Sequence, residues 1–490
     1  MSAPPAAPTK NDRRRWIALV VVCAAMLMNS LDGTIVNIAM PSIQADLGFT
    51  QANLAWVADA YLITFGSLLL MAGRLGDLVG RKKVFMGGVA FFTVSSIACG
   101  LAESQGALIA ARFFQGAGAA ISSSVIIAII VTEFSDPLER AKAMSVYIFV
   151  AVSGGSVGLL FGGVLVQAVD WHWIFFINLP IGLATLVAGR SLLDENEGLG
   201  VRHGVDVLGS VLVTGALMVG IYGIITASEH GWVSAHTLTF GGVASVMLIA
   251  FFVLETRISN PIMPMRIFAV PNLLASSLIR GLAATGMYSA FFLGALYLQR
   301  ARGFDPVRVG FAFLPMTLTA GVLSSGVAVK LITRFGARKV LYPGLLSLMI
   351  GLGLLASVSD GTSYFPTLGL AFLFMGFGAS SSFMSLLTIA MADVPPRDAG
   401  LASGIVNVSM QLFAAIGLAA LGTIASNRTR SLASEGQTPI DALIGGYHLA
   451  FGLAAACVAL GLVIAPLLLR ARPVEVEAAA TEALEIEPTA

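Results

Sequence analysis

The chain has 490 residues, 57% hydrophobic and 11% charged, with 53 glycines and a formal net charge of +1. A charged fraction well below the roughly 25% of soluble domains marks an integral membrane protein. The balance excludes a basic nucleic-acid surface, because the charges fall in short clusters between apolar runs.

At about 20 apolar residues per span, the sequence predicts fourteen membrane helices and an all-α fold. A Pro/Ala-rich cytoplasmic tail, 1–15, leads into an N-terminal six-helix bundle over 16–192. Its spans fall at roughly 16–40, 52–72, 84–102, 106–130, 142–167 and 172–192. Arg13 to Arg15 precede an apolar run of about 25 residues, the length of a spanning helix and too long for a signal peptide. An insert over 193–271 carries two more spans, roughly 207–228 and 237–255. The C-terminal six-helix bundle, 272–470, holds spans near 272–298, 308–331, 339–358, 364–390, 400–425 and 447–470. Residues 471–490 form an acidic tail expected to be disordered.

An even number of spans puts both termini on one side. Of the 28 Lys and Arg residues, 21 fall on that side, five on the other, and Arg112 and Arg280 lie within spans. That asymmetry makes the shared side cytoplasmic and the location a cell membrane.

The halves repeat. The loop Gly73-Arg-Leu-Gly-Asp77-Leu-Val-Gly80-Arg81-Lys-Lys83 returns in weaker form as Gly336-Ala-Arg-Lys339, 256 positions from Gly80 to Gly336. Phe114-Gln-Gly-Ala-Gly-Ala119 returns as Phe374-Met-Gly-Phe-Gly-Ala379, 260 positions on. Near-equal offsets pair spans 1–6 with spans 9–14 in parallel order, an arrangement used by one large class of secondary transporters.

Ionisable groups inside spans are costly and therefore functional candidates. Counting 1.5 Å per residue, Asp32, Asp59 and Arg112 lie ~13, ~11 and ~9 Å from the outer ends of their spans, in one layer. Two carboxylates and a guanidinium at one depth suit a proton site; a static pair joining helices is the other reading. Phe372 stands where the repeat would place a second Arg112, so coupling chemistry belongs to the N-terminal half. Arg280 either meets anionic groups in a central cavity or snorkels to a loop.

Gly154, Gly158 and Gly162, with Gly163, line one face of span 5, permitting close packing and a pivot between halves. Without a proline after Gly158, where Leu159 stands, no kink is expected there. Asn37, Trp56, Tyr61, Tyr288, Phe291, Phe292, Met384, Asn407 and Gln411 are the candidates for a central pocket suited to apolar or cationic cargo. Cys23, Cys99 and Cys457 have no metal-like spacing and read as structural thiols, and no metal site is expected.

These residues resemble the major facilitator superfamily, and within it the fourteen-span drug:proton antiporters, the multidrug and quaternary-ammonium exporters. The resemblance rests on Leu31-Asp-Gly-Thr-Ile-Val-Asn-Ile-Ala-Met-Pro41, the loop Gly73–Lys83, Leu108-x-x-x-Arg112-x-x-Gln115-Gly116 and Trp56-Val-Ala-Asp59-Ala-Tyr61, and covers about residues 16–470. It implies proton transfer through Asp32 and Arg112, and a contact between Asp59 and cationic cargo. It also implies a cytoplasmic latch made of Gly73, Asp77, Gly80, Arg81 and Gly400, in which Asp77 meets the N-terminus of the helix starting near Gly400. The implied function is proton-coupled efflux of small hydrophobic, cationic compounds by alternating access, acting as a monomer in the lipid bilayer. The alternatives are a facilitator or exporter of one metabolite, lipid or antibiotic. No cofactor is expected, since the proton gradient supplies the energy and no Walker-type phosphate loop occurs in the chain. Nor is an enzyme expected: no nucleophile–base grouping occurs, and the five histidines lie in loops or at span boundaries.

Overall fold

The computed structural model describes residues 10–49, 54, 56–196, 198, 200, 207–258, 263, 265–359, 361–395 and 398–470. Residues 1–9 of the N-terminal tail and the whole tail 471–490 lie outside the described residues, and so does the Asp77 side chain.

The described elements are helices. In the N-terminal half they are α1 Lys10–Leu47, α2 Trp56–Val79, α3 Arg81–Gly100, α4 Gln105–Glu133, α5 Pro137–Ala168 and α6 Trp173–Leu192. Then come α7 Val207–His230 and α8 Ala235–Glu255. The C-terminal half has α9 Leu273–Leu296, the segmented α10 (Pro306–Ala312, Leu314–Val322 and Ala328–Phe335) and α11 Ala337–Leu355. It closes with α12 Gly369–Met391, α13 Ala399–Ser434 and α14 Pro439–Leu468. Among the described residues ten helices are long and apolar enough to cross a membrane, and the bent α5 makes eleven. Shorter apolar helices cover Trp56–Leu69, Leu208–Ile224 and Val307–Val322.

Helix starts follow local chemistry. Ser104 and Ser234 accept from the backbone N–H three residues on, opening α4 and α8. Asp305-Pro306 and Thr438-Pro439 open α10 and α14 with a capping oxygen followed by a proline whose missing N–H costs nothing there. Gly80 and Gly336, at φ 109° and 83°, make the sharp turns into α3 and α11. A side chain at Gly80 would also strike the Asn196 carbonyl, since the chain after α6 folds over this turn.

The repeat is visible in the packing. Helices α1 and α5, α2 and α4, α3 and α4, α1 and α6, and α3 and α6 pack in pairs; so do α9 and α13, α10 and α12, α11 and α12, α9 and α14, and α11 and α14. It extends to single atoms. A Cβ on Gly118 would meet the Phe92 backbone N, and one on Gly378 the Leu348 backbone N. A Cβ on Gly88 would meet Ser122 N, and one on Gly344 Ser382 N. The halves touch through α5 against α10 and α2 against α13, contacts that exchange under the pseudo-two-fold. The α7–α8 pair leans on α2 and α13 through α7, and α8, packed on α7, has only Phe251 and Glu255 fully buried.

Three expectations change. Helix α1 runs through Pro41 to Leu47, because proline forfeits one backbone bond without forcing the helix to end. Helix α5 bends by 41° between Gly155 and Leu160 without a proline; a glycine-rich stretch is itself a recognised place for a kink. Its glycine face turns inward to its own half: Gly154 abuts Ser30, Gly158 abuts Leu31 and Thr34, and Gly162 abuts Ile35, all on α1. Gly163 is buried in the same turn. Gly155, off that face, is the one that approaches Phe291 of the other half.

Candidate functional site

Asp32 on α1 and Arg112 on α4 are 0% and 1% exposed, and Arg112 Nη1 lies 2.5 Å from Asp32 Oδ2. Arg112 Nη1 also donates to Gln115 Oε1 at 2.6 Å, and its Nε donates to the Val57 carbonyl of α2 at 2.9 Å. The other carboxylate oxygen, Asp32 Oδ1, accepts from Gln115 Nε2 at 2.8 Å and from Asn178 Nδ2 of α6 at 3.3 Å. Ser96 of α3 accepts from both of those amides, and the Cys99 thiol donates to Gln115 Oε1. Five helices of one half therefore meet in one network around a single carboxylate, which α4 and α6 bond directly.

The walls of this site are aromatic. The guanidinium lies over the Tyr61 ring at 4.4 Å and near the Phe175 ring at 5.7 Å, an arrangement that stabilises a cation out of water. The Tyr61 hydroxyl donates to the Asn29 carbonyl, and Asn29 Nδ2 donates to Ser122 and Ser123, extending the polar thread along α1 and α4. In the other half the position of Arg112 is held by Phe372, whose ring is 4.5 Å from Phe313, itself stacked on Phe291 at 5.3 Å. An aromatic stack thus stands where the first half has its charged network.

The remaining candidates are spread out. Asp59 and Asn37 are half-buried on α2 and α1. Trp56 does not face the seam between halves: it packs on Tyr222 of α7 and lines an apolar cavity of about 570 Å³ together with residues of α4, α7 and α8. Met384 on α12 accepts from Ser145 Oγ of α5 at 3.3 Å, joining the halves. Phe291 is buried, whereas Tyr288, Phe292, Asn407 and Gln411 are half-buried, the last two one turn apart on α13.

In the loop for which a latch is expected, a Cβ on Gly73 would stand 4.0 Å from Ser124 Cβ, and Arg81 Nη1 donates to the Ala128 carbonyl of α4. Helix α13 opens at Ala399, just before Gly400, with Asp398 paired to Arg266 at 3.1 Å. Sequence reading assigned no role to Asn178 or Ser96. Each is a lone polar residue in an apolar run; the packing of α6 against α1 brings Asn178 to Asp32, and the packing of α3 against α4 and α6 brings Ser96 to Gln115 and Asn178.

The family model of the Major Facilitator Superfamily matches residues 22–418 and 276–488. The puromycin resistance protein pur8 of Streptomyces alboniger is 36% identical over 94% of this chain and 92% of its own length. The cephamycin export protein CmcT of Amycolatopsis lactamdurans is 33% identical over 85% of this chain and 86% of its own. Among solved structures, the human organic anion transporter MFSD10 superposes with a TM-score of 0.66 at 16% identity, covering 94% of this chain and all of that one, a likeness of fold. By its sequence and its helical architecture, the chain belongs to the major facilitator superfamily: it is a multi-pass membrane transporter of small molecules and not an enzyme.

Proposed function

We propose that this transporter is a proton-driven exporter of small hydrophobic, cationic compounds, and that it works by alternating access between its two six-helix halves. Relatives named for puromycin resistance and for cephamycin and tetracenomycin C export support the outward direction. The observation that carries the proton coupling is the buried Asp32–Arg112 pair. A proton on Asp32 cancels the charge that Arg112 faces and leaves a buried guanidinium on Gln115, Val57 and aromatic rings alone. A buried charge stripped of its partner is costly, so the protonated half favours a conformation that hydrates Arg112 or supplies a new partner. Releasing the proton to the cytoplasm restores the pair.

The domain plan supports fourteen crossings. The three shorter apolar helices, added to the ten long spans and the bent α5, complete that number. Both termini are cytoplasmic in this reading, the protein sits in the plasma membrane as a monomer, and Asp77 closes the cytoplasmic side against the start of α13. The charge-to-dipole attraction of such a latch is worth about 0.3–1 kcal/mol when exposed, weak enough to open in every cycle. A second reading, export of one specific antibiotic product, draws on the relatives named for single compounds.

Inside-out vesicles provide the test. With the lumen acidified, ethidium should accumulate inside vesicles containing the protein, and a protonophore should release it. Accumulation that survives the protonophore would contradict proton drive. Uptake confined to a single antibiotic would favour the second reading.

A further inference from the structure

Among the described residues five charged side chains are buried: Asp32, Arg112, Glu255, Arg280 and Asp398. Four of them are matched. Asp32 faces Arg112, Asp398 faces Arg266, and Glu255 accepts from the Met263 backbone N–H at 3.0 Å. Arg280, on α9, has no acidic partner among the described residues. Its Nη1 donates to the Phe383 carbonyl of α12 at 3.0 Å, its guanidinium lies 5.1 Å from the Phe383 ring centre, and its Nε has no hydrogen-bond partner. Arginine stays protonated in proteins, so a full positive charge with an idle donor is held within a span without a counter-ion among the described residues.

Its surroundings lie on the seam between halves. The titratable groups that its charge reaches are Tyr147, from α5 of the first half, and Tyr288, two turns along α9. Next to Phe383, Met384 accepts from Ser145 of α5, so α5 meets the C-terminal half at this level. Rocking the halves apart would separate these contacts and open the guanidinium to whatever fills the gap.

We propose that Arg280 is a cargo subsite for a carboxylate, beside the Phe383 ring on the seam between halves. A guanidinium with a free Nε–H can donate a charge-assisted hydrogen bond to a carboxylate, and such a group would supply the missing counter-charge. The inference rests on the exporter reading above and narrows it. The cargo is amphiphilic, with an acidic group for Arg280 in addition to a hydrophobic, cationic body.

The probe is a matched dye pair: a rhodamine with a free carboxylate and the ethyl ester of the same dye, titrated against the purified protein in lipid nanodiscs by fluorescence anisotropy. Wild type should bind the acid about tenfold more tightly than the ester, the size of one charge-assisted hydrogen bond. Arg280→Ala should erase that preference while leaving ester affinity unchanged, and Arg280→Lys should keep part of it. The acid-to-ester ratio separates a cargo contact from a structural tie, because a tie to the Phe383 carbonyl would weaken both dyes in parallel. An unchanged ratio in Arg280→Ala, a parallel loss, or no saturable binding of either dye by wild type would overturn the subsite. Proton-driven efflux of the ester by Arg280→Ala would then leave the exporter reading standing. Absence of proton-driven flux in wild type would remove the exporter reading itself.

Discussion

Arg112→Ala is expected to lower the stability of the detergent-solubilised protein by about 3–5 kcal/mol and to stop transport. The guanidinium makes three hydrogen bonds, to Asp32, Gln115 and Val57, and its loss strands a carboxylate that is 0% exposed. Asp32→Asn strands the opposite charge and should also destabilise. The double substitution Asp32→Asn/Arg112→Gln removes both charges at once. It should therefore recover much of the stability that either single change loses, because a buried pair replaced by neutral groups is close to neutral overall. Thermal unfolding followed by tryptophan fluorescence reads this directly. Additive losses in the double variant would mean that the two side chains do not act as a pair.

Gly118→Leu and Gly378→Leu should each prevent recovery of monodisperse protein, a cost above the about 1–3 kcal/mol typical of overpacking. A Cβ at Gly118 falls 2.5 Å from the backbone N of Phe92, and one at Gly378 falls 2.7 Å from the Cα of Leu348. Neither neighbour is a side chain that can swing aside, so α3 would have to leave α4, or α11 leave α12. Small residues at such crossings are what let membrane helices approach closely. Gly87→Leu and Gly353→Leu serve as controls on α3 and α11, since nothing stands within 4 Å of a Cβ at either site. Size-exclusion profiles should separate the two pairs of variants cleanly. Normal profiles for the Gly118 and Gly378 variants would show that these crossings tolerate several ångströms of displacement.

The two-fold plan was legible because loop and helix motifs return at offsets of 256 and 260, and the same offsets connect Gly88 with Gly344 and Gly118 with Gly378 in space. Depth alone put Asp32 and Arg112 in one layer, since a rise of 1.5 Å per residue converts sequence position into membrane depth. Rotation about a helix axis is harder to read. Trp56 reads as a central residue but turns to Tyr222, because nothing in the order of spans says which helices the α7–α8 insert leans on. Asn178 and Ser96 carry no charge and no periodicity to distinguish them from ordinary helix polar residues. The bend in α5 has no proline to announce it, and a glycine-rich stretch bends without one.

Proton movement in proteoliposomes, reported by a pH-sensitive dye in the lumen, tests the central claim that Asp32 carries the coupled proton. Adding ethidium to wild type under an imposed pH gradient should discharge that gradient. The folded double variant Asp32→Asn/Arg112→Gln should bind ethidium yet leave the gradient intact. If the double variant discharges the gradient at the wild-type rate, the pair is a structural tie and the proton travels elsewhere.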